Sequence, residues 1–124
     1  MDFLIGTPSH YSKSKMVSKD APTSIPTGSY FLLSKDGDKV VGSLVAKKYE
    51  NSFIIRHVEV DPAYRGKGLG TKLMEHIISH LKPKKLPIQL YVDPTNTPAV
   101  NLYKKLGFKL IKKGAAFGDK YALS

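Results

Sequence analysis

The stretch Val58-Glu59-Val60-Asp61-Pro62-Ala63-Tyr64-Arg65-Gly66-Lys67-Gly68-Leu69-Gly70-Thr71 decides how the rest of the chain is read. Its first residues close a strand, Asp61-Pro62 bends the chain, and glycine at 66, 68 and 70 opens a loop before a helix. Those glycines remove every second Cβ, so the backbone can come close to a ligand. The helix that follows leaves its first N–H groups without intrahelical partners, and with the macrodipole they favour a bound phosphate. Arg65 and Lys67 add positive charge at the same place. The pattern predicts a loop that holds a pyrophosphate or a similar anion.

Two familiar phosphate loops are excluded. A Walker A loop needs Gly-x-x-x-x-Gly-Lys-Ser/Thr, a spacing this chain lacks. The dinucleotide fingerprint needs a third glycine at position 71, where Thr71 stands.

Working outward, residues 53–60 read as a strand entering the loop and 69–81 as the helix leaving it. Leu69, Leu73, Ile77 and Leu81 recur at four-residue steps, Met74 and Ile78 widen the stripe, and Pro83 ends it. Lys82, Lys84 and Lys85 then sit at the negative end of the dipole. A strand at 88–92 leads through a turn at 93–96 to a second helix starting near Thr97, with Pro98 at its first position and Gly107 as its stop. Ala99, Leu102, Tyr103 and Leu106 form its apolar stripe, and strands at 108–111 and 120–123 follow. Upstream, 30–33 and 40–48 read as strands around an Asp36-Gly37 hairpin, and 1–5 as a short first strand. Residues 9–28 are rich in Ser, Lys, Thr and Pro and read as a surface loop, with a brief helix around 11–18 as the alternative reading. The strand–helix–strand order after residue 53 implies a parallel pair with a crossover, preceded by an antiparallel meander and followed by a hairpin.

With 124 residues the chain suits a single domain over 1–124, its first 28 residues reduced and loop-rich. An apolar fraction of 41% with 24% charged residues is ordinary for a soluble protein. No apolar run approaches the roughly eighteen residues of a membrane span, and Asp2 stands where a signal peptide has a basic start, so a cytoplasmic setting without membrane contact is expected. Zero cysteines exclude disulfides, thiolate metal sites and a cysteine nucleophile. His76 and His80 are the one helical i,i+4 pair, without a carboxylate in zinc spacing, so no metal is expected. A net charge of +10 favours an anionic ligand, coenzyme A or nucleic acid, and disfavours a polycationic acceptor.

Arg65-Gly66-Lys67-Gly68-Leu69-Gly70 fits Arg-x-x-Gly-x-Gly, and downstream Asn96 is followed by Ala99, Leu102, Tyr103, Gly107 and Phe108 in an Ala-x-x-Leu-Tyr-x-x-x-Gly-Phe pattern. Together these blocks resemble the acetyl-CoA loop and second motif of the Gcn5-related N-acetyltransferase (GNAT) superfamily, over roughly residues 29–123. The resemblance implies an α/β (α+β) fold: a mixed, mostly antiparallel twisted sheet of six to seven strands with a central parallel pair and helices on both faces. It implies acetyl-CoA as co-substrate, with backbone groups of Val58 and Val60 pairing with the pantetheine arm. The amides of Arg65, Gly66, Lys67, Gly68, Leu69 and Gly70, with Thr71, would hold the pyrophosphate, and Asn96 would touch the pantetheine from the opposite side. It does not extend to residues 9–28, where relatives place two helices forming one wall of the acceptor site.

The implied reaction is direct acetyl transfer to a primary amine in a ternary complex. A lysine-like amine of pKa about 10.4 is deprotonated to only roughly one part in a few thousand at pH 7, so a base is needed. Glu59 and His57 share the strand face opposite Val58 and Val60; Glu59, nearer the gap between the strands, is the expected base, with His57, of intrinsic pKa about 6.5, as the alternative. Some relatives place a glutamate in the strand before the Asn turn, where this chain has Tyr91. Tyr103 matches the family's Leu-Tyr position, and a phenol of pKa about 10 can protonate the departing thiolate. Tyr30, Tyr64 and Tyr91 read as packing or cleft lining. The acceptor is a protein lysine, an N-terminus or a small amine, and the chain a monomer or homodimer. The rival reading is a catalytically idle module that holds acyl-CoA or nucleic acid through Lys82, Lys84, Lys85, Lys104, Lys105, Lys109, Lys112 and Lys113.

Overall fold

Strands form where apolar and β-branched residues alternate, and in the computed structural model, which describes residues 1–123, there are seven of them. They are β1 (Asp2–Gly6), β2 (Tyr30–Asp36), β3 (Lys39–Lys48), β4 (Phe53–Val60), β5 (Ile88–Val92), β6 (Phe108–Ala115) and β7 (Gly118–Leu123). One sheet holds them in the order β1-β2-β3-β4-β5-β7-β6. Every neighbouring pair is antiparallel except β4 and β5. Both flanking hairpins run further than their apolar stretches predict, because polar residues such as Lys35, Asp36 and Lys112 also join the ladders.

Helix α1 (Leu69–Leu81) buries Leu69, Leu73, Met74, Ile77, Ile78 and Leu81, the stripe its spacing predicts. Helix α2 (Thr97–Lys105) buries Tyr103 and lays Ala99, Val100, Leu102 and Leu106 against the same core. That core takes Leu32, Leu44, Ala46, Phe53, Ile55, Leu90 and Phe108 from the sheet. The intervening residues Phe31, Leu33 and Val45 point to the other face, since strand side chains alternate. There Ile25, Tyr11 and Met16 of the loop-rich amino-terminal segment cover them. Helical cover is therefore unequal: α1 and α2 share one core, and the other cluster meets a segment with two short 3-10 turns, Pro8–His10 and Lys13–Lys15. The surface-loop reading of this segment holds, and within 11–18 the only helical piece among the described residues is the 3-10 turn Lys13–Lys15. Side-chain bonds hold this segment in place: the Tyr11 hydroxyl donates to the Pro22 carbonyl at 2.6 Å, and the buried Ser43 Oγ accepts from the Val17 amide at 2.9 Å.

The parallel ladder is short. It joins Phe53 to Ile88, Ile54 to Gln89 and Ile55 to Leu90, and β4 then runs on to Val60 without β5 beside it. β5 continues instead along β7, to Val92 opposite Asp119. A bulge marks the point of departure. Arg56 pairs with Val45 and Glu59 with Ser43, so His57 and Val58 together face the single residue Leu44. His57 adopts φ 56°, the left-handed region that a bulky side chain rarely enters. Such a bulge bends and twists its strand, which carries β4 away from β5. It also shifts the alternation, so that Phe53 and Ile55 face the core before it and Val58 and Val60 after it.

Candidate active site

The loop after β4 is built by local capping. Asp61 Oδ1 accepts from the Ala63 amide at 2.9 Å and starts a 3-10 turn, Pro62–Tyr64. Gly66 and Gly68 follow at φ 77° and 79°, and a Cβ on either would meet no protein atom within 4 Å. Gly68 is the residue from which α1 springs. Among the described residues, none of the backbone amides of residues 66–71 donates to a protein acceptor; the first amide of the helix entry to do so is that of Lys72, to the Gly68 carbonyl at 3.2 Å. A run of unpaired N–H groups with the positive end of a helix behind it is an anion-binding surface. Arg65 Nε donates to the Val60 carbonyl at 3.0 Å, and its Nη2 reaches Glu59 Oε1 at 2.7 Å. The Lys67 ammonium lies 5.8 Å from the centre of the Tyr64 ring, whose hydroxyl donates to Asp36 Oδ2 at 2.6 Å.

Two cavities flank the place where β4 and β5 part. The first, of about 560 Å³, is lined by Arg65, Gly66 and Gly68 of the loop and by Leu69 and Gly70 of α1. Val58, Glu59 and Val60 of β4, Tyr64 of the turn, and Asn96, Pro98, Ala99, Leu102 and Tyr103 complete it. The second, of about 300 Å³, is lined by Arg56 and His57, by Tyr91 and Asp93 of β5 and its turn, and by Ser18 and Asp20 of the amino-terminal segment. Val58, Asn96, Ala99 and Tyr103 belong to both. Tyr103 thus stands between the two, in the gap left by the short ladder.

Electrostatics sort the titratable groups. Tyr103 is 8% exposed, its ring edge-on to Phe108 at 6.1 Å between centroids. Burial pushes its phenol above the usual value, so it stays protonated at neutral pH. Its hydroxyl makes none of the side-chain hydrogen bonds found among the described residues, and Tyr103 lines both cavities. His57 is driven the other way, first by burial and then by the Arg56 and Lys47 charges, with Asp20 opposing them. Its imidazole is therefore neutral at pH 7 and able to accept a proton. Asn96 caps α2 by accepting from the Ala99 amide at 3.3 Å, which leaves its side-chain N–H groups to the cavities. Asp93 is held ionised by the Thr95 amide and hydroxyl, at 2.9 and 2.7 Å.

The first cavity thus gathers Val58, Val60, Arg65, Gly66, Gly68, Leu69, Gly70 and Asn96 with Tyr103 and Glu59. Lys67 and Thr71 lie outside that lining, and His57 lines the second cavity. Sequence reasoning missed Ser18, Asp20, Arg56 and Asp93. Arg56 had a signal, its position next to His57; Ser18 and Asp20 reach the site through a loop whose docking no local pattern announces. Among the described residues no group of three or more His, Cys, Asp or Glu side chains is placed to hold a metal, and no helix is long and apolar enough to cross a membrane.

Comparison with known proteins adds three findings. The acetyltransferase (GNAT) family matches residues 4–108. A mycothiol acetyltransferase of Thermobifida fusca is 45% identical over 62 residues, which is 49% of this chain and 19% of that protein. Across the similar mycothiol acetyltransferases the chain spans between 15% and 33% of their length. Among solved structures, Escherichia coli ElaA superposes with a TM-score of 0.82 over all of both chains at 17% identity. PaiA N-acetyltransferase of Thermoplasma acidophilum, in complex with coenzyme A, superposes with a TM-score of 0.68 at 22% identity, over 76% of this chain and 59% of that one.

Proposed function

The chain belongs to the acetyltransferase (GNAT) family, and from that premise we propose that it transfers an acetyl group from acetyl-CoA to a primary amine by direct attack. One observation carries the reading: two cavities share Tyr103 at the point where β4 and β5 separate, one under an array of unpaired amides and one beside a neutral histidine. That arrangement suits a thioester donor entering from one side and an amine from the other.

The residues fit the donor. The amides of residues 66–71 face a pyrophosphate with donors already in place, and the missing Cβ atoms of Gly66 and Gly68 leave room for its approach. The edge of β4 beyond Ile55 has no strand beside it, so its backbone groups can pair with the amide-bearing pantetheine arm as a strand would. Asn96 offers its side-chain N–H groups from across the gap. A relative in fold, PaiA, is known with coenzyme A bound.

On the acceptor side, His57 takes the proton of the incoming ammonium and releases a neutral amine. The amine nitrogen forms a bond to the acetyl carbon while the carbon–sulfur bond breaks, and the nitrogen then sheds its surplus proton to solvent, leaving the neutral amide. Tyr103, kept protonated by burial, gives its proton to the departing sulfur and recovers one from solvent or from His57. Glu59 lies in the donor cavity and is engaged by Arg65, so this reading takes His57 over Glu59 as base. The mycothiol acetyltransferases are far longer than this chain, so the acceptor is argued from its own cavity.

Calorimetric titration with acetyl-CoA tests the proposal. Saturable binding at one site per chain is expected; no saturable binding overturns it.

A further inference from the structure

Resting on the acetyltransferase reading, we propose that the acceptor is an amine that also bears a carboxylate, of the amino-acid class, and that Arg56 binds that carboxylate while His57 faces the amine. A regular strand sends consecutive side chains to opposite faces. The bulge at His57 breaks that rule, and Arg56 and His57, neighbours in the chain, both line the second cavity. An anion site and a proton acceptor thus lie side by side. An α-amino acid carries its carboxylate and amine on one carbon, the same close spacing.

Arg56 is suited to this role. Its guanidinium lies 4.9 Å from the centre of the Phe117 ring, and Tyr91 meets Phe117 edge-on at 5.9 Å. A guanidinium packed on an aromatic ring, with no hydrogen bond or ion pair to the described residues, keeps its N–H groups for a bidentate carboxylate. The ion pairs among the described residues are Lys39 with Asp61 and Arg65 with Glu59, so Arg56 is a half-buried cation without a carboxylate partner. Lys120, its ammonium 5.5 Å from the Tyr91 ring, adds positive charge nearby. Asp20 and Asp93 on the same cavity supply the opposite sign, for the ammonium of an arriving zwitterion. A lysine-rich protein tail is a poor match for this mixture and for a chain of net charge +10.

The test follows thiol release from acetyl-CoA with the twenty common amino acids, each beside its carboxamide. At least one amino acid should exceed its amide by roughly tenfold or more in kcat/KM, the scale of one charge-assisted contact. Arg56→Met should erase that preference by raising KM, Arg56→Lys should keep part of it, and the calorimetric Kd for acetyl-CoA should hold in both. Amides or lysine peptides used as well as the free acids would overturn the inference, as would a preference that survives Arg56→Met. Acetyl-CoA binding with no amino acid turned over also overturns it, while leaving the donor site intact. Failure to bind acetyl-CoA would instead defeat the acetyltransferase reading. The comparison of acid with amide needs no variant, so a poorly folding Arg56→Met does not remove the test.

Discussion

Gly68→Ala separates the proposed anion-binding role of the loop from its contribution to stability. A Cβ at Gly68 would meet no protein atom within 4 Å, so the variant's own cost is that of holding alanine at φ 79°. That amounts to about 1 kcal/mol. For a chain of this length it lowers Tm by about 4 °C. The new methyl group stands in the cavity beside the unpaired amides, where a pyrophosphate has to approach. Affinity for acetyl-CoA should fall more than tenfold, a loss above about 1.4 kcal/mol. Gly114→Ala is the matched control. Gly114 has φ 69° and equally open space around it, but it lines neither cavity. It should lose similar stability in thermal melts and keep wild-type affinity in calorimetry. Wild-type affinity in Gly68→Ala would refute the reasoning, and so would an equal loss of affinity in Gly114→Ala.

Tyr103→Phe should lower kcat at least tenfold with acetyl-CoA affinity unchanged, and the alkaline limb of the rate profile, placed above about pH 10 by the raised phenol, should vanish. Tm should barely move, since that hydroxyl makes none of the side-chain hydrogen bonds found among the described residues; an unchanged kcat removes Tyr103 from the chemistry. His57→Gln should reduce kcat/KM about a hundredfold at pH 7. In the unaltered protein, plotted against neutral amine, the rate should fall as pH drops through a value below about 6.5, because His57 is depressed and works only when deprotonated. An acidic limb at or above the ordinary imidazole value contradicts this. Glu59→Gln breaks an exposed pair with Arg65 and should cost under about 1 kcal/mol of stability in urea melts. It should cost far less activity than His57→Gln; the reverse order transfers the base role to Glu59.

Much of the fold was legible because the deciding signals are local. Glycine before Leu69, Pro98 at the start of α2 and the four-residue stripe of α1 fix helix positions without reference to the rest of the molecule, and 53–60, 69–81 and 88–92 match the observed elements. The lining of the first cavity was legible for the same reason, since much of it comes from one loop. The lining of the second cavity was not. Ser18 and Asp20 arrive there through a loop held by the Val17 amide on Ser43 and the Tyr11 hydroxyl on Pro22, contacts between residues far apart in the chain. The bulge left a trace that alternation alone did not reveal. Apolar residues at 53 and 55 are followed by valines at 58 and 60, an odd-to-even switch that an extra residue at His57 explains.

The central claim is met most directly by mixing the protein with acetyl-CoA and the panel of amines and following free thiol, with mass spectrometry of the amine. The account predicts thiol release that needs both partners, saturates in each, and appears one for one with acetylated amine. Saturable binding of acetyl-CoA without amine-dependent thiol release would contradict it and leave an acyl-CoA-binding module in its place.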